Sequence, residues 1–280
     1  MSIIKSKTNA IGWSIEPCYI ITLHIKDLEL LKSIHEFFKV GAVSLSGKSL
    51  ARYRVRSRED LKIIIEHFKN YPLQTSKAIS FAYFCEILNL MDSNAHTNIK
   101  GFLMLVSLIN RLNKPISSST LDKINYLGVL PNVEFETPII NKNIKLNSDW
   151  ISGFITGEGS FTYFTRTRED SKRNTVKDYT LAMEVSQNSK DWFILNSIKD
   201  YFKIGKVYNE TRGVSKFRVT QKDEIISVLI PYFKNSPLQG RKALQFKIWI
   251  QIVNILATEQ KRIPERDRKI EDLIRELSNL

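Results

Sequence analysis

Two sets of residues in this sequence are spaced for chemistry on a polyanion. The first is a ladder of cations. In Arg52-Tyr53-Arg54-Val55-Arg56 the arginines fall at every second position. A strand would put all three on one face and Tyr53 and Val55 on the other. Lys216 and Arg218 alternate with Phe217 and Val219, Lys206 and Tyr208 flank Val207, and Arg166 and Arg168 alternate with Thr165 and Thr167. Such a face can lie along phosphates and reach base edges. The second is one carboxylate, Glu158, within Trp150-Ile151-Ser152-Gly153-Phe154-Ile155-Thr156-Gly157-Glu158-Gly159-Ser160-Phe161. Ser148 or Asp149 is placed to cap a helix there. Ser152, Gly153, Thr156 and Gly157 are small, so another helix can approach along that side. Glu158 ends the helix and a strand starts at once. The carboxylate therefore stands at a helix foot, beside the basic sheet.

The elements that hold these residues occur twice. Phe38-Lys39-Val40-Gly41 recurs as Phe202-Lys203-Ile204-Gly205, and Arg52-Tyr53-Arg54-Val55 as Lys216-Phe217-Arg218-Val219, both at an offset of 164. Phe68-Lys69-Asn70-Tyr71-Pro72-Leu73-Gln74 recurs as Phe233-Lys234-Asn235-Ser236-Pro237-Leu238-Gln239 at 165. Two copies of this length make a pseudo-dimer rather than a solenoid. Strands are expected at Tyr19 to His24, Ala42 to Ser46 and Ala51 to Arg56, and again at Thr180 to Gln187, Lys206 to Thr211 and Lys216 to Thr220. Helical spacing predicts Asp27 to Phe38, Asp60 to Phe68 and Ser76 to Leu90, matched by Asp191 to Phe202, Asp223 to Phe233 and Arg241 to Ala257. Residues 1–113 and 148–280 are the expected repeats. The Ser-, Pro- and Asn-rich stretch 114–147 is the expected linker, with a short helix near Leu121 to Leu127.

Composition narrows the partner. With 42 Lys and Arg against 29 Asp and Glu, the net charge is +13. Hydrophobic content of 42% and charged content of 25% are those of a globular protein, and the longest apolar run, Gly101 to Ile109, is too short to span a bilayer. The charge favours nucleic acid over an anionic membrane. Lys261 to Arg275 interleaves both signs and reads as a solvated, salt-bridged helix rather than an anchor. Met1 to Trp13 lacks the apolar core of a secretory signal. Cys18 and Cys85 form no CxxC pair, which fits a reducing compartment. Gly157 and Gly159 lack the third glycine and following helix of a dinucleotide fold. Gly47-Lys48-Ser49 lacks the first glycine of a phosphate loop, because position 42 is Ala42.

With both repeats in view, the sequence resembles the LAGLIDADG homing endonucleases in their single-chain, two-repeat, intron-encoded form. Ile151 to Gly159 reads as a divergent copy of the nine-residue motif, and the Gly-Glu-Gly-Ser-Phe, Phe-Lys-Ile-Gly and Pro-Leu-Gln…Lys blocks look like that family. The resemblance covers nearly the whole chain. It implies an α+β fold: two pseudo-symmetric repeats, each a curved antiparallel sheet backed by helices and forming half of a DNA-binding saddle. It implies site-specific, metal-dependent hydrolysis of double-stranded DNA by a monomer, with Mg²⁺ held by oxygen ligands. Carried over by position, Glu158 is the metal-binding acid. Lys242 and Lys77, each after a Pro-Leu-Gln, match the basic residue near the cleaved phosphate, and Gln187 a residue that orients solvent. The first-repeat counterpart of Gln187 is Leu23, a departure. The counterpart of the motif helix would precede Met1, so its acid is absent from this sequence. These residues therefore supply one of the two acids that the resemblance implies for cutting both strands, and the loss of the other impairs the expected activity.

Two readings compete with the endonuclease. One is an RNA-binding maturase for the host intron. The other is a catalytically silent, sequence-specific DNA-binding protein. Family habit and the Ile-, Lys- and Asn-rich composition point to a fungal mitochondrial intron.

Overall fold

Internal contacts divide the chain into two units, Met1–Asn141 and Lys142–Leu280, in a computed structural model that describes residues 1–169, 175–210, 213–259 and 263–280. The first unit runs β1 (Ser2–Lys5), β2 (Trp13–Glu16), β3 (Tyr19–His24), α1 (Leu28–Phe38), β4 (Ala42–Ser46), β5 (Leu50–Val55), α2 (Arg58–Asn70), α3 (Lys77–Asp92), α4 (Ile99–Ile109) and α5 (Ser118–Ile124). The second runs α6 (Ser148–Glu158), β6 (Gly159–Glu169), β7 (Thr175–Asn188), α7 (Trp192–Phe202), β8 (Lys206–Glu210), β9 (Val214–Val219), α8 (Lys222–Glu224), α9 (Ile230–Asn235), α10 (Gly240–Thr258) and α11 (Pro264–Asn279). The expected end of the β8 strand, Thr211, lies outside the described residues.

The sheets are antiparallel, ordered β3-β5-β4 in the first unit and β6-β7-β9-β8 in the second, with β1 and β2 as a separate pair. The shared strands keep one register: Leu23 faces Ala51 and Gln187 faces Ser215, at the offset of the sequence repeat. β7 runs unbroken for 14 residues. Its counterpart is cut into β2 and β3 at Pro17-Cys18, where proline supplies no N–H to a ladder.

The repeated Phe-Lys-x-Gly block is a helix stop. Lys39 and Lys203 close α1 and α7 in the left-handed conformation, their N–H groups bonding His35 O and Lys199 O. Two residues on, glycine is obligatory. Gly41 has φ +79°, and a Cβ there would lie 2.5 Å from Arg54 O. Gly205, at φ +72°, would meet Arg218 O at 2.8 Å. The step from offset 164 to 165 also has a structural cause. A π-helical turn, Ile225–Leu229, follows α8 and absorbs one inserted residue where the first unit has the uninterrupted α2. A second repeated device caps the long helices. Arg58 Nη1 donates to Met91 O (3.0 Å) near the end of α3, and Lys222 Nζ to Leu256 O (3.4 Å) near the end of α10.

Two expectations need correcting. The stretch 114–147 has its expected short helix, as α5 and the turn Asn125–Leu127 that follows it, but it is also packed on the first unit. Ile116, Leu121, Leu127, Leu130, Val133 and Phe135 pack on a first-unit core of Trp13, Ile87, Phe102, Leu105 and Ile109. Ser107 Oγ donates to Pro131 O (2.8 Å) and Arg111 Nη1 to Val133 O (2.9 Å). The apolar run that ends at Ile109 is the buried helix α4, which needs this cover. The terminal helix is likewise docked rather than wholly solvated. Arg266, Ile270 and Leu277 are buried, while Lys177–Glu271, Lys269–Glu259 and Arg275–Asp272 pairs line its outside. Lys261, its expected start, lies outside the described residues. Among the described residues, no helix is long and apolar enough to cross a membrane.

Candidate nucleic-acid interface and catalytic carboxylate

The carboxylate is delivered by a tight joint. Asn147, rather than Ser148 or Asp149, caps α6: its Oδ1 accepts the Trp150 N–H at 2.8 Å. Ile151, Ser152 and Ile155 are buried. Ser152 Oγ donates to Pro237 O (2.8 Å), and Thr156 Oγ1 accepts the Gln239 N–H (3.2 Å). The last turn of α6 is thus tied to the start of α10. Gly153 and Gly157 are exposed. Glu158 is the last helical residue and is exposed, and Gly159 is the first of β6. No side chain fits at position 159, because a Cβ there would lie 2.5 Å from Ile155 O.

The residues assigned to help Glu158 are only partly gathered here. Lys242, in the first turn of α10, lines a 390 Å³ pocket with Ser160, Phe161, Thr162 and Tyr163, the strand that follows Glu158. Gln187 lies two residues beyond Val185, the partner of Gly159, and so is at the same end of β7. It is half-buried, on the face of Val185 and Phe217 rather than that of Arg218. Lys77 is exposed at the first position of α3 in the other unit.

The cation ladders take shape differently in the two units. In the first, Ala51, Tyr53 and Val55 are buried, while Arg52 and Arg54 are half-exposed on the opposite face. Arg52 stands between Thr22 and Ser44, and Arg54 between Ile20 and Ala42. Arg54 Nε is buried without a hydrogen-bond partner. Arg56 leaves the ladder: it follows the last residue of β5 and lines a 440 Å³ cleft with Glu16, Arg58 and His96. Burial raises the pKa of Cys18, and Arg54 and Arg56 pull it the other way.

In the second unit the face is not single-signed. Glu184, buried on β7, stands directly opposite Arg218 and accepts its Nε–H. Lys216 Nζ lies 3.9 Å from Glu184 and 3.0 Å from Glu210. Arg168 pairs with Asp178 at 2.7 Å. The Arg218 guanidinium also sits 5.5 Å over the Phe164 ring. Arg166, Lys206 and Tyr208 are exposed on the same face.

A family model described as LAGLIDADG endonuclease matches residues 1–88 and 151–253. The chain belongs to the LAGLIDADG endonuclease family. A probable intron-encoded endonuclease 3 of Neurospora crassa is 29% identical over 90% of this chain and 46% of its own length. A probable intron-encoded DNA endonuclease 1 of Mycosarcoma maydis is 28% identical over 81% of this chain and 83% of its own. Among solved structures, I-SmaMI bound to its uncleaved DNA target in the presence of calcium ions is similar with TM-score 0.87 and 28% identity, over 97% of this chain and 91% of that one. The chain thus spans about half the Neurospora relative's length and most of the other two.

Within this LAGLIDADG chain, the charged residue of this face that sequence reasoning missed is Glu184. Its signal was faint: one carboxylate in the apolar run Leu181 to Val185, in phase with the outward positions of β7. Only the register with β9 sets it against Arg218. Among the described residues, no three His, Cys, Asp or Glu side chains converge as a metal cage. Mg²⁺ does not require one, because it binds through one or two carboxylates, water and substrate phosphate oxygens. An exposed carboxylate at a helix foot suits that mode.

Proposed function

We propose that this chain is a site-specific double-stranded DNA endonuclease of intron homing, acting as a monomer in a mitochondrion and using Mg²⁺. The observation that carries this is the joint at Glu158-Gly159, which holds an exposed carboxylate beside the start of a cationic antiparallel sheet. The likeness to intron-encoded endonucleases of two fungi supports it, and the Ile-, Lys- and Asn-rich composition supports an organellar gene.

Each residue has a part in this reading. Arg52, Arg54, Arg166, Lys206, Lys216 and Arg218 grip phosphates and base edges, and Tyr208 packs among them. Arg56 and Arg168 engage the backbone at the margins, Arg168 in exchange for its bond to Asp178. Glu158 holds the metal. When bound, the metal would supply Lewis-acid stabilisation of charge at the scissile phosphate and a water of lowered pKa. Lys242, and Lys77 in the first repeat, neutralise charge building on the phosphate oxygens. Gln187 orients solvent by hydrogen bonding.

The test is cleavage of a plasmid carrying the uninterrupted host-gene sequence, with and without Mg²⁺. Glu158→Gln removes the metal-binding charge and keeps the shape. Loss of metal-held stabilisation of several kcal/mol corresponds to a rate lower by a factor on the order of 100–1,000. Specific binding with no cleavage of either strand by the wild type, under Mg²⁺ or Mn²⁺, would overturn the proposal.

A further inference from the structure

Arg218 and Arg54 occupy equivalent places in the two repeats, yet of the two only Arg218 is bonded to a carboxylate among the described residues, while the buried Arg54 Nε has no hydrogen-bond partner. Both lie on the central strand, flanked by Glu184 and Lys206 in one case and by Ile20 and Ala42 in the other. Arg218 is fixed from two sides, its Nε by Glu184 and its guanidinium plane by Phe164. The bond to Glu184 uses Nε and leaves both Nη groups without a protein partner among the described residues. Those two donors are the pair a guanine accepts through O6 and N7. Burial makes the restraint firm. Glu184 is 9% exposed and also faces Lys216 at 3.9 Å, so its charge is balanced only while both cations stay in place. Arg54 has no such carboxylate, because the equivalent position is Ile20.

We propose that Glu184 is a positioning residue for specificity. It presets Arg218 for bidentate reading of one guanine, making the second repeat stringent at that base pair and the first repeat tolerant at the pair facing Arg54. This rests on the reading that the sheets bind duplex DNA. An arginine already fixed in place loses little rotamer freedom on binding, so its discrimination is not offset by ordering cost. Glu184 also subtracts one charge from the face. It therefore lowers affinity for DNA of any sequence while raising selectivity.

Binding of wild type and variants to a panel of targets, each changed at one base pair, measured without divalent metal at several salt concentrations, decides the matter. For Glu184→Gln the preference at one base pair should fall about tenfold, as expected when a bidentate pair is loosened. At the same time the log–log salt slope should steepen by about 0.9, the equivalent of neutralising one more phosphate. Arg218→Gln should abolish the same preference, and the double variant should lose no more. Glu184→Asp keeps the charge and should restore the slope. Ile20→Glu, at an exposed position, should create a new preference at the base pair facing Arg54, and it carries the test if Glu184→Gln does not fold. Equal weakening toward every target with an unchanged slope would mark Glu184 as merely structural and overturn the proposal. A wild type that binds all duplexes alike would instead sink the DNA-reading premise.

Discussion

Gly159→Ala adds one methyl group at the joint between α6 and β6. The backbone is not the obstacle, since Gly159 has φ −73°, ordinary for any residue. The obstacle is contact: the new Cβ would lie 2.5 Å from Ile155 O and 2.6 Å from Ile155 Cγ2. Ile155 is fully buried and has nowhere to retreat, and its carbonyl also accepts the Gly159 N–H. Opening the joint forfeits that bond, worth about 1 kcal/mol, and overpacking costs about 1–3 kcal/mol. The total of roughly 2–4 kcal/mol lowers the melting midpoint by about 4–16 °C, at about 2–4 °C per kcal/mol. Calorimetry on the purified chain reads this directly. Cleavage should fall further than target binding, because the joint also sets where Glu158 stands while the sheet cations are untouched. A variant melting within about 1 °C of wild type, against the expected loss, would refute the steric argument. One that melts low yet cuts at the wild-type rate would refute the link from joint to carboxylate.

Two further outcomes are expected. Arg52→Gln and Arg54→Gln should each flatten the salt dependence of DNA binding by about 0.9 in log–log slope; titrations in which neither changes the slope would exclude phosphate contact by the first ladder. Burial lowers the pKa of His67 and, helped by Arg58, that of His96 below the ordinary 6.5. The fold thus favours the neutral imidazoles. Their contribution to stability is complete above the unfolded value and is lost as pH falls through the lowered folded values. The first unit should therefore melt at lower temperature below pH 6.5, and His96→Gln should blunt the fall. A midpoint that rises on acidification would contradict the assignment.

Much of the fold was legible because its signals are local. Strand Tyr19–His24 and hairpin strand Ala42–Ser46 stand where alternation and turn glycines put them. Helices α1 and α7 begin one residue after the expected Asp27 and Asp191 and end at the expected Phe38 and Phe202. Even the one-residue change of offset carried information, since the π-helical turn falls inside the interval it marks. Less legible were features that depend on partners far along the chain. Ile116 to Phe135 looked like a linker because its Pro, Ser and Asn are local breakers, whereas its scattered apolar residues are complementary to a core built elsewhere.

What the sequence by itself determined is the repeat, the chain order of strands and helices, the outward phase of Arg52, Arg54, Lys216 and Arg218, and the carboxylate at a helix foot. These follow from backbone periodicity and steric rules acting over a few residues. Tertiary structure alone decided which charges meet. Glu184 and Arg218 are 34 residues apart in the chain, and only its apolar neighbours in Leu181 to Val185 distinguish Glu184 locally from a carboxylate facing water. Cross-strand register places it against the Arg218 Nε, so the second repeat's cations are held and partly neutralised while Arg54 stands between the apolar Ile20 and Ala42. Coulomb interaction depends on distance in space and on burial, and both are fixed only when the strands pair.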